Sequence, residues 1–166
     1  MKKEISFIVL LLLLFVSSIH AQNGFRIEAG LGPTIGDSRE DFSFTLQANF
    51  YYLWSVSESI DIGATTGALV FLGEGRTTGG SSLFSDIPDV YIPLAMATRI
   101  KLTKVFSTGL DLGYGFNANG GEGGLYFRPV IAYNLKEKLA FYGSYGSVIQ
   151  NGYTASTINL GVNIGF

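Results

Sequence analysis

The nine residues from Ile158 to Phe166 constrain this chain more than any other stretch. Ile158, Leu160, Val162, Ile164 and Phe166 share one face at period two; Thr157, Asn159, Gly161, Asn163 and Gly165 share the other. Strict alternation of this kind marks a β-strand. An edge strand so apolar would template aggregation in water unless its edges were paired. Closing a sheet into a barrel leaves no edge. A closed barrel with this stretch as its last strand is therefore expected.

The first residues read differently. Lys2 and Lys3 precede a nearly unbroken apolar run from Ile5 to Val16, and Ser17-Ser18-Ile19-His20-Ala21 offers a small-residue cleavage site. That is the layout of a secretory signal peptide over residues 1–21, leaving 22–166 as one barrel domain. The run falls short of the roughly 20 apolar residues of a comfortable transmembrane helix. Without Lys2, Lys3 and Glu4, nine basic and twelve acidic residues remain, a net charge of −3. So mild a balance gives no basic footprint for nucleic acid. Charged residues make up 14% of the chain and glycine numbers 22. Ordinary globular domains carry about 25% charged residues. An exported, charge-poor chain rich in glycine and aromatics fits a transmembrane β-barrel.

Eight two-faced stretches follow in order. They are predicted at about Asn23 to Thr34, Phe42 to Trp54, Ile60 to Phe71, Asp89 to Leu102, Val105 to Phe116, Leu125 to Leu135, Leu139 to Val148 and Thr154 to Phe166. Pro93, awkward in a paired strand, predicts a bulge. The seventh stretch shows no clear phase. Short turns follow the second, fourth and sixth strands, and longer loops follow the others. Outer-membrane barrels show this asymmetry, with short periplasmic turns and long outer loops. An even strand count then puts both termini in the periplasm.

Which face meets lipid is settled by chemistry rather than by alternation. A soluble eight-stranded barrel would turn its apolar face inward. Its outside would then be glycine, serine, threonine and asparagine, with too little charge for a soluble surface. Small polar residues instead suit a cramped lumen. Aromatics also gather at strand ends. Phe25, Tyr52, Trp54, Phe106, Tyr133 and Phe166 are predicted at the turn end, and Phe42, Phe44, Tyr114, Phe116 and Phe127 at the loop end. Two such belts match interfacial girdles. The exported N-terminus, the eight two-faced strands and Phe166 resemble the small outer-membrane β-barrel family of the OmpA-transmembrane and OmpX type. This resemblance implies an eight-stranded antiparallel up-and-down transmembrane barrel in the cell outer membrane. It also implies that Ile158, Leu160, Val162, Ile164 and Phe166 form the signal read by the barrel-assembly machinery. It implies location and folding route, not activity.

Inward charges are the remaining chemistry. Arg26, Glu28, Asp61, Arg99, Lys101, Asp111 and Arg128 are expected to form a lumen ion-pair network, because unpaired buried charge is costly. Pairing about the turns sets Asp111 beside Arg99 and Arg128, and Asp61 opposite Arg99 or Lys101. Asp89 is also inward. The only histidine, His20, lies in the predicted signal peptide, and cysteine is absent. That leaves neither a Ser–His acyl-transfer site nor a transition-metal site, so no cofactor is expected. Gly120 to Gly124 lacks the strand–helix context of a phosphate loop. Leu83-Phe84, in the longest loop, is expected to pack on the barrel rim. The chain thus reads as a non-enzymatic, monomeric outer-membrane protein with a filled lumen and a structural or surface-contact role. Its partners would be outer-membrane lipid and the assembly machinery. The alternative is transport of small or hydrophobic solutes through the barrel or through a lateral opening near Pro93 or Pro129.

Overall fold

The computed structural model describes residues 24–73 and 89–166. The predicted signal peptide and Leu83-Phe84 lie outside the described residues. Eight strands follow one another: β1 (Gly24–Ile35), β2 (Phe44–Ser55), β3 (Ile60–Leu72), β4 (Asp89–Lys101), β5 (Phe106–Asn117), β6 (Gly124–Lys136), β7 (Leu139–Ile149) and β8 (Thr154–Gly165). Each pairs antiparallel with the next, and β8 closes on β1 through pairs such as Leu31↔Leu160 and Glu28↔Asn163. The first strand thus supplies the second edge of the last, which is the closure that so apolar a final strand requires.

Side-chain alternation sorts the wall into two surfaces. Outward, Leu94, Met96 and Leu160 are 60%, 68% and 67% exposed, and Leu31, Leu46, Phe50, Leu112, Ile131 and Phe141 stand beside them around the barrel. A continuous apolar band of this kind far exceeds what a water-soluble monomer shows. Inward, Glu28, Asn49, Asp111, Arg128, Thr157 and Asn159 are buried almost completely. The aromatic belts form local stacks. Phe25 meets Tyr52 at 4.7 Å and Tyr52 meets Trp54 at 4.9 Å, while Phe106 meets Tyr133 at 5.2 Å. At the loop end Tyr114 meets Phe116 at 4.9 Å.

Two details depart from the sequence reading. Phe42 precedes β2 and leaves the outer belt; it packs on Phe71 at the mouth of the lumen, with ring centroids 5.6 Å apart. Pro93 carries no bulge. Pairing of β4 with β5 runs unbroken from Tyr91↔Asn117 to Lys101↔Ser107. On the β3 side the register is the same at Leu94↔Thr66 and Tyr91↔Leu69, with the ladder interrupted between them. A missing N–H removes a rung without inserting a residue. The one register shift in β6–β7 pairing falls between Asn134 and Lys136, beside the turn.

The phase of β7 is now clear. Ala140, Tyr142, Ser144 and Val148 are buried in the lumen, whereas Phe141 and Ile149 face out. Both faces carry aromatic and small residues, so hydropathy could not separate them. Tyr142 is held inward by what lies beside it. In register it stands next to Gly161 of β8, which stands next to Gly30 of β1. A Cβ at Gly30 would come within 3.0 Å of the Tyr142 ring, and one at Gly161 within 2.8 Å. The ring therefore lies flat across two glycines.

Outside the barrel, the short 3₁₀ turn Gly36–Arg39 folds back over the β1–β8 seam. The Ser156 N–H donates to Ser38 Oγ at 3.0 Å, and Ser38 Oγ lies 2.9 Å from the Ser156 carbonyl oxygen. The Thr34 hydroxyl donates to the Phe42 carbonyl and ties down the other end of the loop.

Leu160 sits midway along β8, facing outward. Leu160→Arg is expected to destabilise the barrel in phospholipid vesicles by about 2–4 kcal/mol, and Ile149→Arg, near the loop end, by about 1 kcal/mol or less. Equilibrium urea unfolding measures both. Equal costs at the two positions would mean that the outward band does not face hydrocarbon.

Candidate functional site: a buried charge cluster in the lumen

The lumen is layered from the loop end to the turn end. Nearest the loops, Leu69, Phe71, Tyr91, Ala95, Tyr126, Val148 and Ala155 form an apolar plug, with Phe42 and Tyr153 packed on it. Phe71 and Tyr91 meet edge to face at 5.8 Å. Gln150 Nε2 donates to the Tyr91 hydroxyl at 3.0 Å. At the rim, burial and then the nearby Asp41 carboxylate push the Tyr153 hydroxyl up to about 12, so it stays neutral at physiological pH.

Below the plug lies a polar neutral layer. Asn159 Nδ2 donates to Gln47 Oε1 at 2.9 Å, and Gln47 Nε2 donates to the Tyr126 hydroxyl at 3.1 Å. Thr45 Oγ1 lies 2.6 Å from Thr157 Oγ1 and 2.8 Å from Asn159 Oδ1. The layer links β2, β6 and β8 across the barrel.

Next comes the charge cluster. Arg128 NH2 donates to Glu28 Oε2 at 2.7 Å and its NH1 to Asp111 Oδ2 at 2.8 Å. Arg99 NH1 donates to Asp111 Oδ1 at 2.6 Å, and its NH2 lies 3.8 Å from Glu28 Oε1. Two arginines and two carboxylates close a neutral square. The fork of a guanidinium suits this, since it can serve two carboxylates at once. Tyr51 sits within the square. Its hydroxyl accepts from Arg128 NH1 at 2.6 Å and can give its proton to Asp111 Oδ2 at 2.8 Å or Glu28 Oε2 at 3.1 Å. Arg99 lies over the Tyr51 ring, 4.9 Å from its centroid, and Arg128 over the Tyr142 ring at 5.1 Å. Asn163 Nδ2 supplies Glu28 Oε1 at 2.8 Å, and Arg128 Nε reaches Ser144 Oγ at 3.2 Å. Burial this deep is tolerable only when every charge is paired and hydrogen-bonded.

Register explains the geometry. Asp111 and Arg128 are direct partners across β5–β6. Arg99 pairs in register with Gly109, and a Cβ there would stand 2.7 Å from Arg99 Cδ. The missing side chain lets Arg99 lie across β5 toward Asp111. Glu28 reaches across the axis from β1. Lys101 Nζ lies 3.4 Å from Asp61 Oδ1, a separate and half-exposed pair, although Asp61 faces Arg99 in register.

Of the seven residues expected in one network, the structure thus brings four into the square and two into a satellite pair. Arg26 stands apart. Its side chain donates to Asn163 Oδ1 at 3.2 Å, and among the described residues no carboxylate lies within 4.0 Å of it. The reason is register: its neighbours are Tyr51 and Gly165. Asp89, also inward, accepts from Asn117 Nδ2 at 2.9 Å near the loop end. Sequence reasoning missed Tyr51, Tyr142, Ser144 and the apolar plug. Period-two counting from Thr45 does place Tyr51 inward, and from Asp61 it places Leu69 and Phe71 inward. Ile158, Leu160 and Ile164 face outward on β8, with Phe166 following; its N–H donates to the Phe25 carbonyl at 3.0 Å.

No family model matches this chain, and no curated protein matches it in sequence. Solved structures do. The attachment invasion locus protein Ail of Yersinia pestis, in a phospholipid bilayer nanodisc, superposes with a TM-score of 0.59 at 14% identity, covering 87% of this chain and 100% of that one. The N-terminal β-barrel domain of Pseudomonas aeruginosa OprF gives 0.54 at 11% identity, covering 89% and 100%. A de novo designed transmembrane β-barrel gives 0.55 at 10% identity, covering 86% and 95%. At such identities the likeness is one of fold. This chain has the fold of the small eight-stranded outer-membrane β-barrels, as its sequence resemblance implied.

Arg128→Met would strand Glu28 with one distant guanidinium. The expected cost is about 3–5 kcal/mol, the usual penalty for removing one partner of a buried pair. Removing charges of both signs, in Arg128→Met with Glu28→Gln, should cost less than the two single changes added together. Urea unfolding in micelles reads the cycle; additivity would mean the two groups are not coupled.

Proposed function

We propose that this chain is a non-enzymatic integral protein of the cell outer membrane, monomeric, exported by residues 1–21, with a structural or surface-contact role in the envelope. The observation that carries this reading is the combination of a lipid-suited outer band with a lumen closed across its width from the loop end down to the charge square. The apolar plug, the neutral layer and the charge square occupy successive levels of the same narrow cylinder. An eight-stranded barrel has room inside for side chains or one small ligand. Strand pairing on both sides of Pro93 and Pro129 keeps its register, which speaks against a lateral opening there.

The short turns, the start of β1 and the end of β8 share one end, so that end faces the periplasm in the usual arrangement of such barrels. The loop end then faces outward. Among the described residues its rim carries Asp37, Glu40, Asp41, Asp89 and Glu122 against Arg39. Ail has been solved with the heparin analogue sucrose octasulfate. An acidic rim favours a cationic partner instead, because like charges facing each other are costly. Ile158, Leu160, Val162, Ile164 and Phe166 serve in this reading as the assembly signal, and their outward exposure leaves them accessible before the barrel enters lipid.

In planar bilayers the purified barrel is expected to show no sustained conductance; stable open-channel steps would favour solute passage. Phe166→Ala is expected to slow insertion into vesicles that contain the assembly machinery while leaving spontaneous refolding in detergent unchanged. Pulse proteolysis of both reactions checks this, and equal rates with the machinery would remove the signalling role.

A further inference from the structure

Below the charge square the lumen is not filled. A cavity of about 410 Å³ opens toward the turn end, and Leu53, Val130 and Ala140 form part of its wall. Arg99 and Glu28, which belong to the square, close its inner end. The plug lies beyond the square, so the cavity is a cup rather than a segment of a pore.

The charge on this cup is unbalanced. Arg99 is neutralised within the square, and Lys101 is paired with Asp61. Among the described residues, Arg26, Lys104 and Lys136 remain on the wall, against Glu137 alone. Arg26 is the informative one. It is not a mobile rim lysine but a guanidinium on the inner face of β1, tied to Asn163, which is itself 7% exposed. Asn163 is oriented by its other bond, to Glu28. The bond to Asn163 engages one of the five N–H donors of the guanidinium, and among the described residues no carboxylate lies within 4.0 Å of it. A fixed, unneutralised cation in a cleft with low-dielectric walls focuses its field on whatever enters.

We infer that this turn-end cup is a binding site for a small polyanion, a solute or headgroup bearing a phosphate or paired carboxylates, with Arg26 as the primary anchor and Lys104 and Lys136 at the entrance. Planar, bidentate recognition of phosphate or carboxylate is what a guanidinium does best. The anion supplies the negative charge that the wall lacks. The inference needs the cup alone and holds whether or not the barrel conducts.

The test uses the chain refolded in zwitterionic micelles at low salt, titrated with inorganic pyrophosphate by calorimetry. Saturable single-site binding is expected, and Arg26→Gln should weaken it by about tenfold or more, the loss of one charge-assisted hydrogen bond. Lys104→Gln with Lys136→Gln, both exposed, gives a second reading should Arg26→Gln fail to refold, and it should weaken binding as well. Arg39→Gln, at the opposite end, should leave binding unchanged. Doping the micelles with phosphatidylglycerol separates the sources: competition assigns the site to a lipid headgroup, and its absence to a free solute. Absence of saturable binding would overturn the inference, as would an affinity indifferent to Arg26 and to the lysine pair.

Discussion

Four charges inside a narrow cylinder hold this structure to account. Glu28, Asp111, Arg99 and Arg128 come from β1, β5, β4 and β6, and they meet at the axis with contacts of 2.6 to 2.8 Å on three sides. None of them could be there singly, since an unpaired ion in such a place costs several kcal/mol. Their mutual satisfaction therefore fixes the register of strands that are not neighbours in the wall. The hydrogen-bond ladder joins each strand to the next; the square joins β1 to strands on the far side. Tyr51 extends the same network through its hydroxyl, and its ring carries Arg99.

Glycine makes this crowding possible. Gly109 lets Arg99 lie across the neighbouring strand, and Gly30 with Gly161 makes a floor for Tyr142, whose ring then supports Arg128. The small residues of the inner face are thus not merely fillers of a tight space. They are the gaps into which long side chains lean. The same economy fails toward the turn end, where Ala132, Ala140 and Val130 are too small to meet across the axis. The lumen opens there into the basic cup, while aromatic and apolar side chains close it toward the loops.

Much of this was legible in the sequence, because alternation is a local property. Eight strands, their order, their approximate ends and the outward apolar face follow from period two. The pairing of Asp111 with both arginines follows from counting back across two turns. The phase of β7 was not legible, since Phe141 and Tyr142 offer an aromatic to either face. Phe42 was misplaced because it lies two residues before β2 begins, where alternation no longer governs its direction. The expected bulge at Pro93 gave way to an uninterrupted register, since a lost donor can be absorbed as a missing rung.

What the sequence alone determined is therefore the wall: a two-faced strand repeated eight times must close, and must turn its leucines and phenylalanines toward lipid. What only the tertiary structure decided is the axis. Whether Arg26 meets a carboxylate, whether Tyr51 joins the ions, and where the lumen is full or empty depend on side chains that approach from opposite strands. Those meetings are set by barrel diameter and stagger, which are properties of the closed sheet and of no single strand.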